Sequence, residues 1–116
     1  MDCNNNINFE LIVVIVSRGF AEEVIDAAIS AGAEGCTIIN GRGTGIHENT
    51  RLFNRLIEPE KEIILILVPN QLAEEVLNAV RIAGNLDKPQ KGVAFVLEVA
   101  KVTGICHLRQ DVDENA

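Results

Sequence analysis

Glycine and arginine are concentrated in one stretch of this sequence. Glycines stand at three alternate positions, Gly41, Gly43 and Gly45, with Arg42 between the first two, and Arg51 and Arg55 follow. Glycines permit positive φ and close approach to the backbone, so successive N–H groups can form a concave anion site. Arginine side chains suit phosphate. The segment therefore predicts a phosphate-binding loop in a chain that is otherwise acidic.

A second glycine-plus-basic segment lies near the end of the chain, at residues 85–92. It contains Lys88 and Lys91 and ends at Gly92. Neither segment matches a strong nucleotide motif, because GRGTG is not a GxGxxG followed by a helix and Lys91 does not belong to a Walker A sequence. On the residues alone, the alternative stays open that the glycines form turns and the basic side chains are solvated.

The composition indicates a folded, acidic domain. Its 116 residues are 47% hydrophobic and 23% charged, which excludes a disordered chain. A net charge of −7 without a basic stripe argues against a nucleic-acid partner. The three cysteines form no CxxC pair, which favours a reducing compartment. With apolar runs too short to span a bilayer and no signal-like start, we expect a cytoplasmic protein.

The elements that position these segments form a repeat. An offset of 52 residues pairs Val16 with Val68 and Ala21-Glu-Glu-Val with Ala73-Glu-Glu-Val. Each half is a Val- and Ile-rich run, typical of a strand, followed by helical spacing. The apolar helical faces are predicted as Phe20, Val24 and Ala28 in the first half and Leu72, Val76, Val80 and Ala83 in the second. We expect paired glutamates to open each helix and Gly32 or Gly84 to end it in a left-handed conformation.

Two further apolar runs, residues 35–40 and 92–101, complete a β-α-β-β-α-β order. The predicted fold is an α+β ferredoxin-like sandwich, a single domain over residues 1–116 with a core at about 9–104. A long loop is expected at 41–60, of which part of 46–59 is mobile without ligand, and a polar, acidic tail at 105–116. Both helices cover one sheet face, yet the strands at 11–16 and 63–68 are apolar throughout. We therefore expect other copies of the chain to cover the second face.

The order of elements and three local patterns resemble the P-II signal-transducer superfamily. These patterns are Gly35-Cys-Thr37 on the second strand, the Gly-x-Gly-x-Gly start of the long loop, and Lys-Gly-Val-Ala-Phe-Val at the start of the fourth strand. The similarity runs from about residue 9 to residue 104. It is greatest to the shorter P-II-like branch with a KG-(I/V)-AF signature.

The resemblance implies a homotrimer that binds an adenine nucleotide between subunits and regulates a protein target, often a membrane transporter or a metabolic enzyme, through its long loop. The implied nucleotide-binding residues are Gly35, Thr37, Gly41, Arg42, Gly43, Thr44, Gly45, Lys88, Gln90, Lys91 and Gly92. The implied target-binding loop contains His47, Glu48, Arg51, Phe53 and Arg55.

Some residues depart from the family pattern. The chain has no tyrosine, so the tyrosine-directed modification known in some members is impossible. His47 stands where the nitrogen-sensing branch has a glutamine that helps to hold magnesium and 2-oxoglutarate, and Val93 stands where that branch has a phosphate-binding lysine. The choice among AMP, ADP, ATP and cyclic nucleotides, the sensing of 2-oxoglutarate and the identity of the target stay open.

Two other classes of function compete with this interpretation. A metal-binding ferredoxin-like trimer of the divalent-cation-tolerance type would need ligands from Cys36, His47, Cys106 and His107, none of which has zinc-type spacing. An enzyme would need His47, Glu48 or Glu58 as acid or base, but no nucleophile–base set can be read from the sequence. We therefore predict no metal site and no catalytic residues.

Overall fold

Strands and helices alternate along the chain in a computed structural model that describes residues 7–44, 50–52, 55–57 and 59–105. The elements within these ranges are β1 (Phe9–Ser17), α1 (Ala21–Ser30), β2 (Thr37–Arg42), β3 (Thr50–Leu52), β4 (Arg55–Ile57), β5 (Glu60–Pro69), α2 (Asn70–Ala83) and β6 (Gly92–Val99). Neither helix is long and apolar enough to cross a bilayer.

Four of the strands form one antiparallel sheet in the order β2-β5-β1-β6. The Val- and Ile-rich strands β1 and β5 lie at its centre, and β2 and β6 form its edges. Helix α1 connects β1 to β2 and packs against β5, and α2 connects β5 to β6 and packs against β1, β5 and β6. Both helices lie on one face of the sheet, which confirms the predicted ferredoxin-like arrangement. The strands β3 and β4 pair with each other as a separate two-stranded sheet. This pair lies within the segment expected to be a loop and was not predicted.

The core lies between the sheet and the helices. Alternate residues of the central strands point into it: Ile12, Val14, Val16, Ile64, Ile66 and Val68 are at most 1% exposed. From the helices, Val24, Ala28, Val76 and Val80 are fully buried against them. These residues confirm most of the two predicted helical faces. The burial follows from strand and helix periodicity, which places every second strand residue and every third or fourth helix residue on one side.

The start of each helix differs from the prediction. Phe20 does not lie on the buried face of α1; it precedes the helix and is 51% exposed. The reason is a turn at Arg18–Gly19, where Gly19 has a φ of 99°. No such turn separates β5 from α2, which begins at Asn70. The paired glutamates therefore lie in the first turn of α1 but not in the first turn of α2, where that prediction is wrong.

The end of α2 also differs from the prediction. Gly32 has a positive φ of 119°, as expected after α1, but Gly84 has a φ of −86°. The left-handed residue after α2 is Asn85, with a φ of 53°, because asparagine tolerates this conformation better than other residues with a side chain. A Cβ on Gly84 would lie 3.0 Å from Leu86 Cδ2, so the glycine provides room for packing instead.

The observed strand boundaries differ from the bounds of several predicted segments. β2 begins at Thr37 and continues to Arg42, so Gly35 precedes the strand while Gly41 and Arg42 belong to it. The connection to β5 therefore spans residues 43–59. β6 ends at Val99, and Ile105, at the start of the expected polar tail, is only 5% exposed. Residues 106–116 lie outside the described part of the chain.

The sheet face opposite the helices is apolar, and part of it is exposed in a single chain. Strand pairing places Ile39, Ile63, Leu65, Val13, Ile15, Leu11, Val93, Phe95 and Leu97 on this open face. Ile39, Val93, Phe95 and Leu97 are between 41% and 50% exposed. A contiguous apolar surface of this kind marks an interaction site in a soluble protein. The expectation that both faces of the central strands are apolar is confirmed.

Gly92 is required by the fold, and its replacement by alanine should be strongly destabilising. Its φ is 144°, and an added Cβ would lie 2.4 Å from the carbonyl oxygen of Ile15 in β1. We expect Gly92→Ala to lower the free energy of unfolding by at least about 2 kcal/mol. Gly35→Ala is the matched control, since no atom lies within 4 Å of its added Cβ. Urea unfolding at one protein concentration measures both; an equal effect of the two substitutions would contradict this role.

Candidate functional site

Both glycine-plus-basic segments reach the same end of the sheet, but at opposite edges. Arg42 ends β2 opposite Glu60, and Gly92 begins β6 opposite Val16. β5 and β1 lie between the two edges. With strands spaced by about 4.8 Å, three spacings separate the segments by about 14 Å. One chain therefore does not bring the two segments into a single site.

The β2 edge has its own pocket, the β2-edge pocket, with a volume of about 530 Å³. Arg18, Asn40, Gly41, Arg42, Glu60, Lys61 and Glu62 line it. The guanidinium of Arg18 pairs with the carboxylate of Glu60. This hydrogen bond and the charge of Glu60 raise the pKa of Arg18 above its ordinary value. The Gly19 N–H donates to Glu62 Oε1 at 2.7 Å, so two acidic residues of β5 hold the turn between β1 and α1.

The β6 edge has a second pocket of about 260 Å³, the β6-edge pocket. Ser17, Phe20, Glu23, Ala83, Gly84, Asn85, Gln90 and Lys91 line it. The ammonium of Lys91 lies 5.9 Å from the centroid of the Phe20 ring, within range of a cation–π interaction. Gln90 has a φ of 68°, which is unusual for a residue with a side chain and often accompanies a binding site. Lys88 does not line this pocket; its N–H donates to Asn85 O at 3.0 Å in the preceding turn.

The backbone amides at the end of β2 alternate in direction. The Gly43 N–H donates to Pro59 O at 3.1 Å, so this amide is not free for an anion as the phosphate-loop prediction requires. By the alternation of an antiparallel edge strand, Gly41 also directs its N–H towards β5. Arg42 directs its N–H to the free edge. The anion donors at this edge are therefore fewer than three successive amides.

The glycine at position 43 is not explained by the fold. Its φ lies outside the positive range that favours glycine, and no atom of the described residues lies within 4 Å of an added Cβ. The fold of a single chain therefore gives no reason for a glycine at this position.

The other predicted site residues are spread out. Thr37 pairs with Leu65, and five residues of strand place it about 17 Å from Arg42. Gly35 precedes Thr37 by two residues in the chain, and Thr44 is exposed beside Gly43. Arg51 and Arg55 lie in β3 and β4, with side chains outside the described part. Gly45, His47, Glu48 and Phe53 also lie outside the described residues, so the predicted target-binding loop and its mobility stay predictions.

Three residues next to the predicted site were missed by the sequence reasoning. Arg18 and Phe20 lie in the turn after β1, and Glu60 begins β5. Each touches a pocket that contains Arg42 or Lys91. The available signal was the position of Arg18-Gly-Phe directly after an apolar strand, at the end of the sheet where both glycine-plus-basic segments end.

The metal-binding alternative finds no support in the described part. Cys36 packs against the core, and burial raises the pKa of its thiol, which disfavours the thiolate that a metal requires. Across the ranges that the structure describes, no three His, Cys, Asp or Glu side chains come together as a metal site. His47, Cys106 and His107 lie outside those ranges.

Comparison with known proteins connects this architecture to one family. The family model of the nitrogen regulatory protein P-II matches residues 9–109. No curated protein sequence matches the chain.

Solved structures with the same fold include PII of Arabidopsis thaliana bound to citrate, which is 22% identical, has a TM-score of 0.64, and matches over 86% of this chain and 82% of its own. The complex of B. subtilis GlnK with ATP is 17% identical, has a TM-score of 0.64, and matches over 80% of this chain and 83% of its own. A further structure of B. subtilis GlnK is 18% identical, has a TM-score of 0.61, and matches over 80% of this chain and 86% of its own. The family match over most of the chain and the shared ferredoxin-like fold show that this chain belongs to the nitrogen regulatory protein P-II family of signal-transduction proteins.

Proposed function

We propose that this protein is a cytoplasmic homotrimer that binds an adenine nucleotide between its subunits and regulates a target protein rather than catalysing a reaction. The observation that carries the proposal is the position of the two glycine-plus-basic segments at opposite edges of the same end of the sheet. In a closed ring of subunits, the β6 edge of one copy faces the β2 edge of the next. Arg42 of one subunit and Lys91 of its neighbour then converge on one cleft.

The open face supports assembly as a ring. Three copies that pack their sheets inward would cover the exposed side chains of Ile39, Val93, Phe95 and Leu97 at once. A closed homo-oligomer is the common solution for a self-complementary apolar surface. In the same assembly the helices lie on the outside. The end of the sheet that carries both pockets stays accessible to a ligand.

The chemistry of the cleft favours a polyanion. Arg42 and Lys91 are exposed cations in a chain of net charge −7. Charge-assisted hydrogen bonds to phosphate are about twice as strong as neutral ones. The GlnK of B. subtilis was solved with ATP and the PII of Arabidopsis with citrate, so anions occupy proteins of this fold. ATP is therefore the first effector to test, ahead of ADP and AMP.

The connection between β2 and β5 is proposed to carry the signal to the target. This connection leaves the sheet directly beside Arg42, so a ligand at the β2 edge would contact the first residues of the connection. His47, Glu48, Arg51, Phe53 and Arg55 are proposed to contact the target, which we expect to be a membrane transporter or a metabolic enzyme. Part of residues 46–59 should exchange amide hydrogens quickly without ligand and more slowly with ligand or target.

A thermal-shift panel of ATP, ADP, AMP, adenosine, citrate and 2-oxoglutarate tests the ligand class. A ligand that binds only the folded state at a hundred times its dissociation constant raises the midpoint by on the order of 5–10 °C. We expect this shift with at least one phosphorylated adenosine and not with adenosine alone. A sample with Zn²⁺ and no nucleotide tests the metal-binding alternative. No shift with any nucleotide would refute the proposed effector.

A further inference from the structure

Three charged residues lie side by side on the helix-covered face of the sheet end. Arg42 in β2 is directly opposite Glu60 in β5, and Arg18 follows β1 on the other side of Glu60, where its N–H donates to Glu60 O at 3.1 Å. Directly opposite residues of antiparallel strands have Cβ atoms about 5 Å apart on the same face. The carboxylate of Glu60 therefore contacts the guanidinium of Arg18, and Arg42 stands in the adjacent strand on the other side of Glu60.

The pairing of this carboxylate is unequal. Glu60 contacts Arg18, whereas Arg42 has no ion pair with an acidic side chain in the part of the chain that the structure describes. The side chains of Arg18 and Glu60 are 70% and 57% exposed. An ion pair this exposed contributes little to folding stability, so stability is a weak reason for it. The β2-edge pocket that contains all three residues has room for a ligand, at about 530 Å³.

From this arrangement we infer that Arg18 and Arg42 form a two-arginine site for a phosphate group, and that Glu60 is an internal counter-ion which the phosphate displaces. The inference rests on the proposed nucleotide binding and adds two residues to it. A phosphate accepts paired hydrogen bonds from guanidinium groups on both sides, in the same geometry that a carboxylate uses. The Glu60 carboxylate therefore resembles the phosphate ligand. A bound phosphate must overcome the repulsion by the Glu60 carboxylate and must compete with that carboxylate for Arg18.

Removing the charge of Glu60 should tighten binding, which is the opposite of what removal of a supporting residue does. We expect Glu60→Gln to lower the dissociation constant for ATP by about three- to tenfold at low salt. Arg18→Ala should raise the dissociation constant by about tenfold. Glu74→Gln is the matched control, because Glu74 is exposed on α2 and its replacement removes the same charge from the protein as a whole.

Calorimetry of the full chain with ATP, inorganic tripolyphosphate and adenosine separates the parts of this inference. The site is supported if Glu60→Gln binds tripolyphosphate more tightly than the wild type and Glu74→Gln do. This holds even if ATP binds no more tightly than tripolyphosphate, which would mean that the adenine base is not recognised. Equal or weaker binding of both anions by Glu60→Gln would overturn it. If the wild type binds tripolyphosphate but not ATP, the proposed nucleotide effector fails while the phosphate site stands. Thermal unfolding of ligand-free Glu60→Gln should match the wild type, since the ion pair is exposed.

Discussion

Phe95→Glu should convert the assembled protein into monomers. Phe95 lies on β6 on the open face, opposite Val13 of β1 and 41% exposed within one chain. If the sheets pack inward in the proposed trimer, the substitution buries an unpaired carboxylate in each copy of the interface. The penalty is several kcal/mol per charge, which exceeds what one substitution at a rim position costs. Native mass spectrometry or light scattering at micromolar concentration measures the change in mass.

The matched control is Ile82→Glu. Ile82 is an exposed apolar residue too, at 65%, but it lies on α2 on the other side of the sheet. It receives the same carboxylate and should leave the oligomer unchanged. A wild-type protein that is monomeric at micromolar concentration would contradict the inward packing. A trimer that tolerates Phe95→Glu but not Ile82→Glu would place the interface on the helices.

Nucleotide affinity should fall by roughly tenfold to a hundredfold when either Arg42 or Lys91 is replaced by alanine, while the oligomer stays intact. Each side chain supplies one cation from a different edge of the sheet, so each loss removes a charge-assisted contact. Lys101→Ala is the control, because Lys101 is an exposed lysine beyond the opposite end of β6. Gly43→Val should weaken binding more than either, since a β-branched side chain would occupy the space beside Arg42 through which the proposed phosphate approaches the backbone. Calorimetry with ATP measures all four.

A mixing experiment tests whether the cleft lies between subunits. Each subunit contributes Arg42 to one cleft and Lys91 to another if the edges of neighbouring copies meet. Trimers reassembled from Arg42→Ala and Lys91→Ala subunits should then contain some clefts with both cations, and wild-type affinity should return at a fraction of the sites. No recovery in mixed trimers would place both residues in the same subunit's site or in none.

Local patterns in the sequence determined the order of elements and the core. Alternation in the Val- and Ile-rich runs and the spacing of Val24, Ala28, Val76 and Val80 are local properties, which the strand and helix geometry converts directly into buried faces. The repeat with its offset of 52 residues is also visible in the structure, where β1 and β5 are equivalent within one residue. Local patterns did not determine the boundaries of the helices, because the turn at Gly19 and the absence of a turn before α2 depend on how each strand end packs.

Only the tertiary structure decided how the chemically active residues are distributed. Strand order places the glycine-plus-basic segments on opposite edges, and register decides that the Gly43 amide is taken by Pro59 and that Glu60 lies between Arg18 and Arg42. These are pairings between residues far apart in the chain, and a shift of one residue reverses which side chains and amides share a face. The sequence alone therefore predicts the types of residue in the candidate site, whereas the sheet decides which of them meet.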